Sequence, residues 1–294
     1  MSKATGKTMA MSVEGLAVRL VTFTGKRVVD WYDVPLNPGW VRGGIISRPD
    51  DVGKAVAKTI EENNAPRRGV LSALSSSGSS AQVLNMPGVK KSKIDAVVGR
   101  EMRRVSAGSN FENDYIYSQP LPKPKHGTQR EVYALTVPKR NVLNLVEACN
   151  AAGLTMKAVE LKPFALARAV GCQNGIIVHA DVDGIEIVII DNSFPVSFRS
   201  VSVNNGDGPE AAFQQLLSEL PRTIDHYNRT HPDTPLGDDT AIYLSGGLAL
   251  NPELVMGVVE VTGREVANIE PPVECPPDFP LAQYMTHVGL MLKG

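Results

Sequence analysis

At 294 residues, 43% of them apolar, the chain can bury a sizeable core in two compact domains or one elaborated α/β domain, which excludes disorder for the bulk of it. With 30 Lys and Arg against 31 Asp and Glu, no global field draws it to nucleic acid or to an anionic membrane. Cys149, Cys172 and Cys275 are odd in number and lack zinc spacing, and neither an apolar leader nor a spanning run of about 18 residues is visible, so a reduced, cytoplasmic protein is expected.

The stretch "MAMSVEGLAVRLVTFTGKRVVDWYDVP", residues 9–35, reads as two apolar runs around a Thr-Gly-Lys turn. "RPDDVGKAVAKTIEENN" spaces Val52, Val56 and Ile60 at helical intervals behind acidic residues suited to a helix start. "RRGVLSALSSSGSS" is a short strand entering a Ser/Gly loop, either a plain turn or a ligand loop. Residues 85–161 read as a separate module. It holds a helix in "SKIDAVVGREMRRV", strands in "DYIYSQPL", "REVYALTVP" and "LTMKAVEL", and a helix ending at Gly153. Lys123, Lys125 and His126 form a basic cluster in its Pro-rich turn.

After a helix in "KPFALARAV", the strand-turn-strand pattern returns in "NGIIVHADVDGIEIVIIDNSFPVSFRSVSV", which echoes the opening and points to two related halves. The long helix in "GPEAAFQQLLSELPRTIDHYNRT" should kink or break at Pro221. "TAIYLSGGLAL" is a strand feeding a double glycine, Asn251 and Pro252 open the next helix, and "PLAQYMTHVGLML" closes the chain as an apolar helix. "ATGKT" near the N-terminus lacks the first glycine and the preceding strand of a P-loop.

"VLNMPGVKKSKIDAVVGREMRR", "VEACNAAGL", "AVELKPFALARAV", "LLSELPRTIDHYN" and "IYLSGGLALNPEL", in that order, resemble the PilM-type proteins of type IV pilus assembly and their cell-division relative FtsA, within the actin and sugar-kinase ATPase superfamily. The resemblance implies an actin-like, ribonuclease H-like α/β fold. A first lobe would span 9–93 with 162–174 returning to it, a small α+β subdomain 94–161, and a second lobe 175–294. It also implies a cytoplasmic protein that meets the inner membrane through the N-terminal peptide of a PilN-like partner, with ATP and Mg²⁺ in a cleft.

In that family the first phosphate loop begins with an aspartate and a glycine. Here the matching positions are Ser12 and Glu14, followed by Gly15, and a carboxylate aimed at triphosphate is repulsive. In the second loop Asp181 stands at the Mg²⁺-holding position, but Asp183 replaces a glycine and Gly184 follows one place late. The two carboxylates share Mg²⁺, or "DVDG" is a plain hairpin turn. Gly246 and Gly247 match the base-contacting element, and Glu219 and Arg222 the ribose- and base-contacting positions. Glu160 matches an acidic family position, as a catalytic candidate or a satisfied strand-end carboxylate. The expectation is a pilus-assembly scaffold with weak or degenerate ATP binding. The alternatives are a slow PilM-like ATPase and, behind it, a sugar kinase or phosphohydrolase.

Overall fold

A computed structural model describes residues 6–87, 94–105, 113–121, 129–203 and 208–293. The chain divides into two compact units, Met1–Ser77 with Asn144–Gly294, and Gly78–Leu143. The basic cluster at Lys123, Lys125 and His126, and the first two residues of "ATGKT", lie outside the described residues.

The larger unit carries two sheets of matching layout. In the first, β1 (Thr8–Glu14), β2 (Ala17–Thr24) and β3 (Arg27–Pro35) form an antiparallel meander, and β6 (Arg68–Leu74) lies parallel to β1 on its other side. The second repeats this with β11 (Gly175–Asp181), β12 (Gly184–Asp191), β13 (Phe194–Ser202) and β14 (Ile242–Ser245). The first apolar run expected at 9–24 is thus two strands. Gly15, at φ +61°, supplies the left-handed conformation that lets the chain reverse there.

Central strands are buried along nearly their whole length because helices cover both sheet faces. Helices α4 (Lys162–Val170) and α7 (Met285–Met291) share a core with Ala10, Phe23 and Leu71 of the first sheet and Ile177, Val188 and Ile190 of the second. They cross so closely that a Cβ on Gly289 would lie 1.8 Å from the Ala165 carbonyl oxygen. Helices α5 (Gly208–Thr230) and α6 (Pro252–Thr262) pack on the second sheet through Leu216, Leu220, Ile224, Leu254 and Val258. Asn251 caps α6 by accepting from the Glu253 N–H at 2.9 Å. Of the expected kink or break at Pro221, the break does not occur: α5 is one helix from Gly208 to Thr230. Leu216 and Leu220 before the proline and Ile224 and Tyr227 after it are all buried, so side-chain packing on both flanks offsets the missing backbone bond.

The smaller unit is an antiparallel sheet in the order β7 (Ser80–Pro87), β9 (Gln129–Pro138), β8 (Asp114–Pro120), with α2 (Ile94–Val105) packed on it through Ile94, Val98 and Met102. Strand β7 was not foreseen. The strand in "LTMKAVEL", read as part of the small module, is β10 (Thr155–Leu161), and it pairs with β6 at the edge of the first large sheet. The chain returns to the larger unit along α3 (Lys139–Ala151), whose Leu145, Ala148 and Cys149 are buried. Two short elements also escaped the sequence reading: β4 (Val41–Arg42) and β5 (Ile45–Ile46) form a separate hairpin between β3 and α1 (Pro49–Glu62).

Candidate functional site

The two hairpin tips, β1–β2 and β11–β12, meet in the interior of the larger unit. Each places a carboxylate at the end of its first strand, Glu14 on one and Asp181 on the other, and each carries a charged residue one step back on the returning strand's register, Arg19 opposite Ser12 and Glu186 opposite His179. All six side chains are buried. Such polar groups persist in a core only when partnered, and here the partners come from the other hairpin, from Lys162 and from the serine loop after β6.

Glu14 Oε2 lies 2.7 Å from Lys162 Nζ, at the start of α4, and 2.8 Å from His179 Nε2. Its Oε1 accepts a short bond from the Ser12 hydroxyl. Asp181 receives Arg19 at 3.2 Å and the Gly247 N–H at 3.2 Å, with His179 Nε2 3.4 Å from its second oxygen. Glu186 accepts from the Ser75 hydroxyl and the Ser76 N–H at 3.0 and 2.8 Å, and from the Ser76 hydroxyl. The serine loop after β6 therefore does bind something, a carboxylate of this same chain. Asp183 accepts from the Gly44 N–H at 3.2 Å.

Burial alone would raise the Glu14 carboxyl, but Lys162, His179 and Arg19 hold it well below the usual carboxylate range. Burial disfavours the cation of His179, yet Glu14 and Asp181 push it up to about 9, so the ring is protonated at neutral pH. Lys162 is likewise penalised by burial and restored by Glu14 and Glu186, its pKa ending above the ordinary lysine value. Asp183 has fewer compensating partners, and burial pushes it up to about 6. His287, whose Nε2 is 2.9 Å from the Arg19 carbonyl oxygen and 3.3 Å from Ser12 Oγ, is driven down to about 4 by burial and stays neutral.

The sequence-derived residues divide into two groups. Ser12, Glu14, Gly15, Asp181, Asp183, Gly184 and Gly247 are gathered at this cluster. Gly246 adjoins it as a packing residue: at φ +90°, a Cβ there would stand 2.3 Å from the Ala180 carbonyl oxygen. Glu219 and Arg222 lie on α5 and pair with each other at 3.3 Å, Glu219 also with Arg199 at 2.6 Å. Glu160 is held by Arg168 and, at 2.7 Å, by Lys293, which makes it a satisfied strand-end carboxylate. Lys162, His179 and Glu186 are also part of the cluster and are not among the sequence-derived site residues. Their signal was a charged or ring-polar residue inside an otherwise apolar strand or at the mouth of an apolar helix.

Glu14, His179 and Asp181 bring ligand atoms within 4.8 Å of one another, which is the spacing of a metal site. The donor chemistry opposes a cation there, because Lys162, Arg19 and the protonated His179 already occupy the carboxylate oxygens. The cavity lined by Gly44, Ser75, Lys162, His179 and Asp183 has a volume of about 10 Å³, about the room of one water molecule.

No family model matches the chain, and no curated protein matches it. Among solved structures, a chain of the PilM–PilN type IV pilus biogenesis complex superposes with a TM-score of 0.76 at 18% identity, covering 98% of both chains. The cytoplasmic domain of EpsL, an inner-membrane component of the type II secretion system of Vibrio cholerae, gives 0.55 at 12% identity over 98% of this chain and 99% of that one. A Bacteroides thetaiotaomicron protein with an actin-like ATPase fold and unknown function gives 0.53 at 8% identity over 98% and 96%. The chain has the actin-like ATPase fold, and its expected resemblance to PilM holds at the level of fold.

Proposed function

We propose that this protein is a PilM-like assembly scaffold of a type IV pilus or related envelope machine, in which charged side chains of the protein itself fill the place of nucleotide in the cleft. The observation that carries this reading is the pairing of Glu14 with Lys162 and His179. On this reading a protein anion and two protein cations stand in for the phosphate and Mg²⁺ that the resemblance implies. The fold likeness to a chain of the PilM–PilN complex and to the cytoplasmic domain of EpsL supports a cytoplasmic role beside the inner membrane. The partner on this reading is the N-terminal peptide of a PilN-like membrane protein. Among the described residues, no helix is long and apolar enough to cross a membrane.

Calorimetric titration with Mg-ATP tests the nucleotide half of the proposal. No saturable heat is expected, and micromolar binding that disappears in Asp181→Ala would sink it in favour of a slow ATPase. Pull-down with a PilN-like N-terminal peptide tests the partner half, and loss of that binding would count against the pilus role while leaving the cleft chemistry standing.

A further inference from the structure

The hairpin β4–β5 is too short to be a structural sheet, at two residues per strand, yet its tip is built with unusual stringency. Gly43 and Gly44 both have positive φ, +54° and +72°, the requirement of a two-residue turn that matches strand twist. Both are also hemmed in. A Cβ on Gly43 would lie 2.2 Å from Ser202 Oγ and 2.9 Å from Ser202 Cβ, and one on Gly44 would lie 2.8 Å from Ser75 Cβ. Ser75 follows β6 of the first sheet, whereas Ser202 ends β13 of the second. On the second side Gly43 also approaches Gly184, and the Gly44 N–H donates to Asp183. The base of the hairpin is tied by Ser47 N–H and Arg48 N–H, which donate to the Trp40 carbonyl oxygen at 2.8 and 3.2 Å. The Asn144 side chain adds a bond to the Ile46 carbonyl oxygen at 2.6 Å.

The geometry points to a latch: the Gly43–Gly44 tip is wedged between Ser75 of one sheet half and Asp183, Gly184 and Ser202 of the other, and it holds the charged cleft shut. The tip forms one wall of the water-sized cavity over Lys162 and His179. Lifting it would break the Gly44–Asp183 bond, free Ser75, and open those two cations and Asp183 to solvent. Side chains at positions 43 and 44 would prevent the wedge from seating, which gives the double glycine a role that turn geometry alone does not exhaust. The latch is independent of whether the cleft takes nucleotide.

Ser76 reports on closure without touching the hairpin tip. Its N–H donates to Glu186 across the two sheets, whereas the Gly247 N–H donates to Asp181 within the second half. Hydrogen exchange read by mass spectrometry or NMR on four variants separates the causes. Gly43→Ala is expected to speed exchange at Ser76 and at 181–186 by about tenfold or more, with α5 unchanged, as a local opening does. Adding Ser202→Gly removes the colliding side chain and is expected to restore most of the protection. Gly39→Ala is the control for backbone strain, since Gly39 has φ +82° but nothing within 4 Å of its would-be Cβ; it should leave Ser76 unchanged. Should Gly43→Ala fold poorly, Asp183→Ala removes the acceptor for Gly44 and is expected to speed Ser76 exchange by about threefold. The latch is overturned by unchanged Ser76 exchange in both Gly43→Ala and Asp183→Ala, by acceleration spread evenly through α5, or by an equal response to Gly39→Ala.

Discussion

The β1–β2 and β11–β12 hairpins share topology and register, but they carry their buried cations on opposite strands. The first carries its inward cation, Arg19, on the returning strand, and the second carries His179 on the outgoing one. Each cation serves the other hairpin's acid: Arg19 reaches Asp181, and His179 reaches Glu14. The exchange is unequal, however. Glu14 is 1% exposed and depends wholly on Lys162, His179 and Ser12. Asp181 keeps a Gly247 N–H, and its main cation has further partners in Asp33 and the Gln283 carbonyl oxygen. The first tip is thus the one that cannot lose its partners.

That inequality is broken most directly by Glu14→Ala. Removing the carboxylate strands Lys162 and the protonated His179 in the core, and a loss of roughly 3–5 kcal/mol in urea unfolding is expected. A loss below about 1 kcal/mol would mean that the cluster contributes little to stability. Combining Lys162→Met with Glu14→Leu should recover much of the deficit, because an apolar pair replaces a buried ionic one.

Asp181→Ala should cost less, roughly 2–3 kcal/mol in the same assay, since Arg19 retains Asp33 and the Gln283 carbonyl. Equal losses for the two carboxylates would remove the asymmetry.

Titration sharpens the comparison further. His179 is held at about 9 in the folded protein against roughly 6.5 in the unfolded chain. Its contribution is complete below about pH 6.5 and is lost as pH rises through 9. His287 moves the other way, to about 4: its contribution is complete above about pH 6.5 and is lost as pH falls toward 4. Asp183, at about 6, contributes below about pH 4 and loses that contribution as pH rises through 6, which offsets His287 over the same window. Urea midpoints measured from pH 4 to 10 should therefore fall on the alkaline side, and Asp183→Asn should unmask a fall on the acid side.

The smallest effect belongs to a pair away from both tips. Glu219→Ala removes contacts to Arg199 and Arg222, which are half-exposed or more, and should shift thermal stability by no more than about 1 kcal/mol. A larger loss would mark α5 as part of a site.

Much of the fold was legible because its signals are local. Val52, Val56 and Ile60 sit at helical spacing, Asn251-Pro252 opens α6, and the repeated strand-turn-strand pattern announces the paired sheets. The readings that failed depended on partners distant in sequence. The β10 strand looks like a continuation of the small module until β6 is there to pair with it, and Pro221 looks like a helix breaker until packing on both flanks is counted. The hairpin at 41–46 has too few residues to show a period at all.

The site divides along the same line. By itself, the sequence determined that the two hairpins carry Ser12, Glu14 and Asp183, and a carboxylate there is a chemical fact in any conformation. Only the tertiary structure decided what those residues do. The Lys162–Glu14 and His179–Glu14 pairs join residues 148 and 165 positions apart, and Arg19–Asp181 joins residues 162 apart. Ion pairs of that separation leave no periodicity or spacing to read, because it is the meeting of two hairpins in a low-dielectric interior that makes partners of them.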